Sequence, residues 1–280
     1  MRPQEHQRFS AQIRLETSKM LLKRGFGHLG GSFSIIETLS VLYGEVMKID
    51  PKNPKWEERD WFVLSKGHAG PALYSTLALK GYFPLEWLNT LNENGTRLPS
   101  HPDRLRTPGV DCTTGSLGQG ISQAVGLAKA FQIDHKPNRV YCIVGDGELN
   151  EGQVWEAVQF AAHNKLSQLL LFIDENHKQL DGLTKDIMNP FDIRAKFDAF
   201  GFNTVRIKGD DEALILKTIR ECQAVTDKPS CIVLDTIKGQ GVKFFEDLND
   251  NHHIRFANET ETELKSAIAL LEDEVNKELQ

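Results

Sequence analysis

Only four cysteines occur in the 280 residues, Cys112, Cys142, Cys222 and Cys231, and no two form a CxxC pair. A disulfide-stapled scaffold and a cysteine zinc site are thereby excluded. Cys142 and Cys231 fall inside apolar runs and are expected as reduced core residues. Positive charge is also scarce: 33 Lys and Arg stand against 39 Asp and Glu, a net charge of −6. No basic footprint for nucleic acid results. No apolar run approaches the roughly 18 residues that span a bilayer. Met1-Arg2-Pro3-Gln4-Glu5-His6 has no apolar segment of the signal-peptide kind, so a cytoplasmic location is the default expectation. There is no internal repeat, low-complexity tract or linker, and a single domain over residues 1–280 is expected.

What is present alternates. Short apolar runs at 61–64, 140–144, 169–173 and 231–236 read as strands, as does the segment at about 203–207. Helical patterns at 4–24, 34–46, 118–131, 153–163, 192–199 and 211–225 lie between or before them. Strands alternating with helices predict an α/β fold, a doubly wound parallel sheet flanked by helices. A last helix is expected over 258–280, with Thr260 to Glu263 as a capping box. Its stripe Leu264, Ile268, Leu271, Val275 and Leu279 has the spacing of a core-packing face.

The most informative stretch is Gly145-Asp146-Gly147-Glu148-Leu149-Asn150-Glu151-Gly152, with Asp174-Glu175-Asn176 downstream. A strand-like run leads into each half. Ligands of an open parallel sheet sit at the carboxyl ends of its strands. A carboxylate and a side-chain amide there suit Mg²⁺ or Ca²⁺ bound with a diphosphate. The flanking glycines permit close backbone approach, and the helix from about Gln153 would point its amides at the anion. Asp146 and Asn176 lie 30 residues apart. The pattern resembles the thiamine diphosphate signature, in which Gly-Asp-Gly is followed at about that distance by an asparagine.

Nine histidines are present. His6, His135 and His163 sit in polar helical surroundings and read as surface residues. His28 lies in the glycine-rich Gly25–Ser32 segment, expected as a loop, and His68 follows the 61–64 strand. His101 precedes a proline, and His252 and His253 follow Lys238-Gly239-Gln240-Gly241. Loops on a rigid scaffold carry chemistry, and these five are candidate site residues.

With these motifs the chain resembles the N-terminal, diphosphate-binding portion of transketolase from about residue 8 to residue 256. Gly27-His28-Leu29-Gly30-Gly31, Ser65-Lys66-Gly67-His68-Ala69 and His101-Pro102 are similar to the family's histidine loops. Thr113-Thr114-Gly115-Ser116-Leu117-Gly118-Gln119-Gly120 is similar to its cofactor-covering loop. The resemblance implies thiamine diphosphate as cofactor and ketol transfer between sugar phosphates. It implies that Asp146 and Asn176 bind the metal by side chains and Lys178 by its carbonyl. Gly147 and His68 would meet the diphosphate, Gly115 and Leu117 would line the cofactor, and His28, His101 and His252 would face substrate. His252 is chosen over His253 by counting from Gly239-Gln240-Gly241. His177 in the metal loop and His253 after His252 depart from the family pattern. The resemblance also implies that a C-terminal transketolase subunit is needed as partner. It implies a heterotetramer with two chains of each kind, and Glu151 at the interface between them. Three rival readings are a deoxyxylulose-phosphate synthase, the alpha chain of a 2-oxoacid dehydrogenase, and a non-catalytic protein of this fold.

Overall fold

A computed structural model describes residues 3–180 and 182–277. Its centre is a five-stranded sheet: β1 (Trp61–Leu64), β2 (Val140–Gly145), β3 (Leu169–Glu175), β4 (Asn203–Lys208) and β5 (Ser230–Asp235). The spatial order is β1-β2-β3-β5-β4, and every pairing is parallel. Successive side chains of a strand point to opposite faces, and the core divides accordingly. Tyr141, Ile143, Leu170, Phe172, Ile232 and Leu234 enter one buried cluster. Val140, Cys142, Val144, Leu171, Cys231 and Val233 enter the other. Both faces are therefore covered, the doubly wound arrangement that the alternation predicts. All four cysteines are free and buried.

The helices are α1 (Pro3–Arg24), α2 (Ile36–Val41), α3 (Gly70–Leu79), α4 (Gln119–Ile133), α5 (Gly152–His163), α6 (Ile193–Ala199), α7 (Glu212–Gln223) and α8 (Glu259–Lys277). Asp192 and Asp211 accept hydrogen bonds from Ala195 N and Leu214 N at 3.0 and 2.9 Å, capping α6 and α7. α1 ends at Gly25, whose φ of +83° is open to glycine. Leu264 and Leu271 of α8 are buried, and Leu271 packs with Ala11 and Leu15 of α1. The stripe is core, as its spacing predicts, although Leu279 lies outside the described residues. No described helix is long and apolar enough to cross a membrane.

Three expectations fail. The helix predicted over 34–46 is broken: Ser34 caps a separate short helix, Leu29–Phe33, and α2 passes into a π-helical turn at Leu42–Val46. The Thr260–Glu263 capping box does not form. Helix α8 begins a residue before Thr260, whose hydroxyl bonds Ala257 N and the carbonyls of Arg255 and Ala257. His6 is not a surface residue; it is 1 % exposed, with Nε2 3.1 Å from the Glu45 carboxylate. A turn of α1 packed on α2 buries it, which local polarity cannot show. His135 and His163 are exposed as expected.

Candidate active site

Strand ends and glycine turns converge on one cavity of about 390 Å³ beyond the carboxyl ends of β1, β2 and β3. His28, His68, His101, Gly115, Leu117, Asp146, Gly147, Asn176, Lys178 and His252 all line it. The structure thus brings all these residues to one cavity. Glu151 lies outside the cavity and is exposed.

The histidines are gathered by backbone. Phe26–Gly27 pairs antiparallel with Ile254–Arg255, with Gly27 opposite Ile254. This ladder carries His28 to His252 and His253. Gly30 N donates to Asn251 O at 3.0 Å, and a Cβ on Gly30 would collide with that oxygen. Only glycine fits that contact. The Gly30-Gly31 pair is thus helical packing, not the loop expected from sequence. The His28 ring lies 5.7 Å from His68, 5.8 Å from His101 and 5.2 Å from His252. His253 is exposed, 4.7 Å from His28 and outside the cavity wall.

Burial, with neighbouring cations, keeps these rings neutral. Burial first, then His253, His101 and Lys238, pushes the His28 imidazole down to about 4. Burial and then Lys238 push His252 down to about 3. His68 is lowered well below the usual histidine value by burial and then by Lys66, and His101 is lowered by burial. Near neutral pH each ring therefore offers one N–H donor and one bare nitrogen. His252 Nδ1 is buried without a hydrogen-bond partner among the described residues.

The oxygen ligands are held by a buried network. Asp174, at the end of β3, is fully buried and receives four donors. Lys66 Nζ donates at 2.5 Å, Ser34 Oγ at 2.8 Å, Asn176 Nδ2 at 2.8 Å and Thr236 Oγ1 at 2.6 Å. Burial alone would raise its pKa; the Lys66 ammonium and the hydrogen bonds outweigh burial and hold it lowered. The bond from Nδ2 fixes the Asn176 amide, and its Oδ1 accepts from Lys178 N at 3.2 Å. Asp146 accepts from Gly147 N and His177 N, both at 2.8 Å. Burial, then the Asp174 charge, pushes Asp146 up to about 7. A cation would reverse that cost. No three His, Cys, Asp or Glu side chains converge on a metal-sized point among the described residues. One carboxylate, one amide oxygen and a backbone carbonyl are hard donors that leave room for diphosphate oxygens. That donor set fits Mg²⁺ or Ca²⁺ bound with the cofactor.

Two expectations about this loop need correction. Helix α5 does not aim its N-terminus into the cavity: a 3₁₀ turn, Gly147–Asn150, intervenes, and neither Gly152 nor Gln153 lines the wall. The Gly147 amide is engaged by Asp146, and a Cβ there would lie 2.8 Å from Gln179 Cβ, so packing as well as ligand approach requires glycine.

Sequence reasoning missed three residues. Lys66 and Lys238 line the cavity and are almost fully buried. Lys238 Nζ lies 3.4 Å from the Lys178 carbonyl, and burial, then Lys66, pushes its ammonium down to about 8. Each lysine precedes a glycine just past a strand end, in Ser65-Lys66-Gly67 and Ile237-Lys238-Gly239, a repetition that could have marked both. Glu148 is a positioning residue. It accepts from Ser65 Oγ at 2.5 Å, Gly118 N at 2.8 Å and Gly145 N at 3.1 Å, joining three of the loops that frame the cavity.

Comparison with known proteins agrees with this geometry. Residues 5–275 match the family described as transketolase, thiamine diphosphate binding domain. The chain is 51 % identical over 94 % of both chains to the 6-deoxy-6-sulfo-D-fructose transketolase subunit SqwG of Clostridium sp. (strain MSTE9). It is 40 % identical to an apulose-4-phosphate transketolase subunit of Actinobacillus succinogenes, covering 81 % of this chain and 82 % of that one. The transketolase of Campylobacter jejuni superposes with a TM-score of 0.85 at 30 % identity, covering 99 % of this chain and 48 % of its own. The chain thus spans just under half the length of that solved transketolase. A cavity of neutral histidines beside a buried aspartate–asparagine pair, and relatives that carry the transketolase name, lead to one conclusion: the chain belongs to the transketolase family, as its thiamine diphosphate-binding portion.

Proposed function

We propose that the chain is the N-terminal subunit of a two-polypeptide transketolase. With thiamine diphosphate and Mg²⁺ (or Ca²⁺) it moves a two-carbon ketol unit from a ketose donor to an aldose acceptor. The observation that carries this reading is the single cavity shared by His28, His68, His101, His252, Asp146 and Asn176. When bound, thiamine diphosphate supplies the carbanion chemistry that breaks and re-forms the carbon–carbon bond.

The chain's own groups do the rest. Asp146, Asn176 and the Lys178 carbonyl hold the cation. Lys66, Lys238 and His68, with Gly147 beside them, face the diphosphate charge, and Gly115 and Leu117 wall the cofactor. His28, His101 and His252 orient sugar hydroxyls, and as neutral imidazoles they accept or return a proton at the reacting hydroxyl. The two relatives of similar length are named for a sulfonated and a phosphorylated sugar. We therefore read the donor as a sugar with a terminal anionic group.

A second polypeptide supplies what this cavity lacks. Leu180, Leu183, Ile187, Met188 and Phe191 are exposed within twelve residues, and Leu180 lines the cavity mouth. An apolar surface so placed suits a covering partner. Exposed Glu151 faces the same partner, the C-terminal transketolase subunit, in a cytoplasmic heterotetramer with closed symmetry.

Calorimetry with thiamine diphosphate and Mg²⁺ tests the site. Asp146→Ala should weaken binding by at least about tenfold, through loss of a hard charged ligand. Unchanged affinity would refute the metal assignment. The chain alone should give no ketol transfer with saturating cofactor; robust turnover without a second polypeptide would refute the two-chain reading.

A further inference from the structure

A second concavity, of about 570 Å³, opens beside Trp61, where β1 begins. The histidine cavity lies past the other end of that strand, roughly 10 Å away at 3.3 Å per residue. Residues 53–61 form one wall and residues 97–111 the other. Five cations line it in a chain of net charge −6: Lys55, Arg59, Arg97, Arg104 and Arg106.

Their partners differ. The Arg59 guanidinium is neutralised: Nη2 donates to Asp111 Oδ1 at 2.5 Å, and its plane lies 4.1 Å over the Trp61 ring. Arg106 has a loose pair with Asp103 at 3.4 Å. Arg97 lies 5.0 Å over the Trp87 ring and, among the described residues, has no carboxylate partner. Neither Lys55 nor Arg104 makes an ion pair there. Lys55, Arg97 and Arg104 therefore share one hollow without a close ion pair, with Asp111, which also lines it, acting on Arg104 at longer range. An anion between them would supply the close partner that these cations lack.

The basin is built rather than draped. Thr107 donates its hydroxyl to the Arg97 carbonyl, tying together the two segments that carry the arginines. Arg104 N donates to Thr113 Oγ1 at 3.1 Å, and Thr107 N to Asp103 O at 3.0 Å. Gly109 turns the chain at φ +85°, where a Cβ would lie 2.6 Å from the Tyr82 ring. Guanidinium forks match oxyanion edges, and the volume is that of a small-molecule site. Cations stand on both walls, so the best-matched ligand carries an anionic group at each end.

We propose that this basin binds a small organic polyanion of the sugar bisphosphate class, at a site separate from the histidine cavity. The ligand is an effector rather than a substrate, because no histidine reaches it. The loop that carries Arg104 and Arg106 runs from His101 to Thr113, so an anion bridging Lys55 and Arg104 restrains the segment between the substrate-side His101 loop and the cofactor-side loop that begins at Thr113.

Isothermal titration with fructose 1,6-bisphosphate provides the test, with inorganic phosphate as comparator. The chain should bind the bisphosphate saturably and more tightly than phosphate. Arg97→Ala/Arg104→Ala should lose at least about tenfold in affinity, since two charge-assisted contacts go, while its melting temperature stays put. Lys238→Ala, which alters the histidine cavity alone, should bind as the unaltered chain does. Equal affinity in the double variant overturns the proposal, as does loss of binding in Lys238→Ala instead. Absence of saturation at millimolar concentration overturns it too. Phosphate binding as tightly as the bisphosphate overturns the two-anion form.

Discussion

The two ends of the sheet treat charge in opposite ways. At the carboxyl end, Asp174, Lys66 and Glu148 are buried and bonded to one another or to backbone. At the amino end the Arg59–Asp111 pair is largely buried too, but Arg97, Arg104 and Arg106 are exposed, and Arg97 and Arg104 make no ion pair among the described residues. Burial costs a charge several kcal/mol unless partners satisfy it, so the first arrangement exists only where geometry is fixed. Exposed charges cost little and leave their geometry free. One end is organised for positioned chemistry, the other for electrostatic capture.

The most severe way to break this contrast is Asp174→Ala. It strips four donors of their acceptor and leaves buried Lys66 without its ion-pair partner. A loss of about 3–5 kcal/mol in unfolding free energy is expected, measured by urea denaturation. A loss under about 1 kcal/mol would mean the network adds little to the fold.

Acid sharpens the comparison next. His28 and His252 have folded-state values pushed down to about 4 and about 3, against about 6.5 in an unfolded chain. As pH falls below about 6.5, the unfolded chain takes up these protons first. The stability these two rings contribute is whole above that pH and is lost as pH falls toward 4 and below. Asp111 and Asp146, raised to about 6 and about 7, act in the opposite sense across the same window. The difference between chains is therefore the readout. Melting temperature should fall less between pH 7 and pH 4.5 in His28→Asn/His252→Asn than in the unaltered chain. Parallel curves would show that the rings are not held neutral by the fold.

The smallest effect is expected at the amino end. Arg104→Ala removes an exposed side chain with no ion pair, and stability should shift by less than about 0.5 kcal/mol. A larger shift in thermal melts would show that the arginine basin is structural.

Legibility follows the same divide between local and distant causes. All five strands are readable from the sequence to within about two residues: four are apolar runs that report burial directly, while β4, at the sheet edge, alternates buried and more exposed positions. The cavity set is legible because its residues sit beside glycines at strand ends. Ser34 reads as the start of a helix, yet its hydroxyl serves Asp174, 140 residues away. His6 reads as surface because nothing local shows that α2 covers it, and Thr260 reads as a cap although its hydroxyl serves the preceding turn. Lys66, Lys238 and Glu148 escape notice since charged residues in a sequence default to the surface. The Phe26–Arg255 ladder that brings His28 to His252 is only two residues long on each side, too short for any periodicity to reveal.

The four donors on Asp174 also bear on how fast the site fills. Lys66 and the Asn176 amide are already locked in the free chain, so loading the cofactor requires no ordering of these groups. The entropic penalty that a floppy site would incur at capture is met during folding instead. Association should then be limited by encounter and cation delivery, with a small heat-capacity change from the cavity itself. Any slow phase in loading belongs to the exposed apolar side chains Leu180, Leu183, Ile187, Met188 and Phe191, which this carboxylate does not anchor.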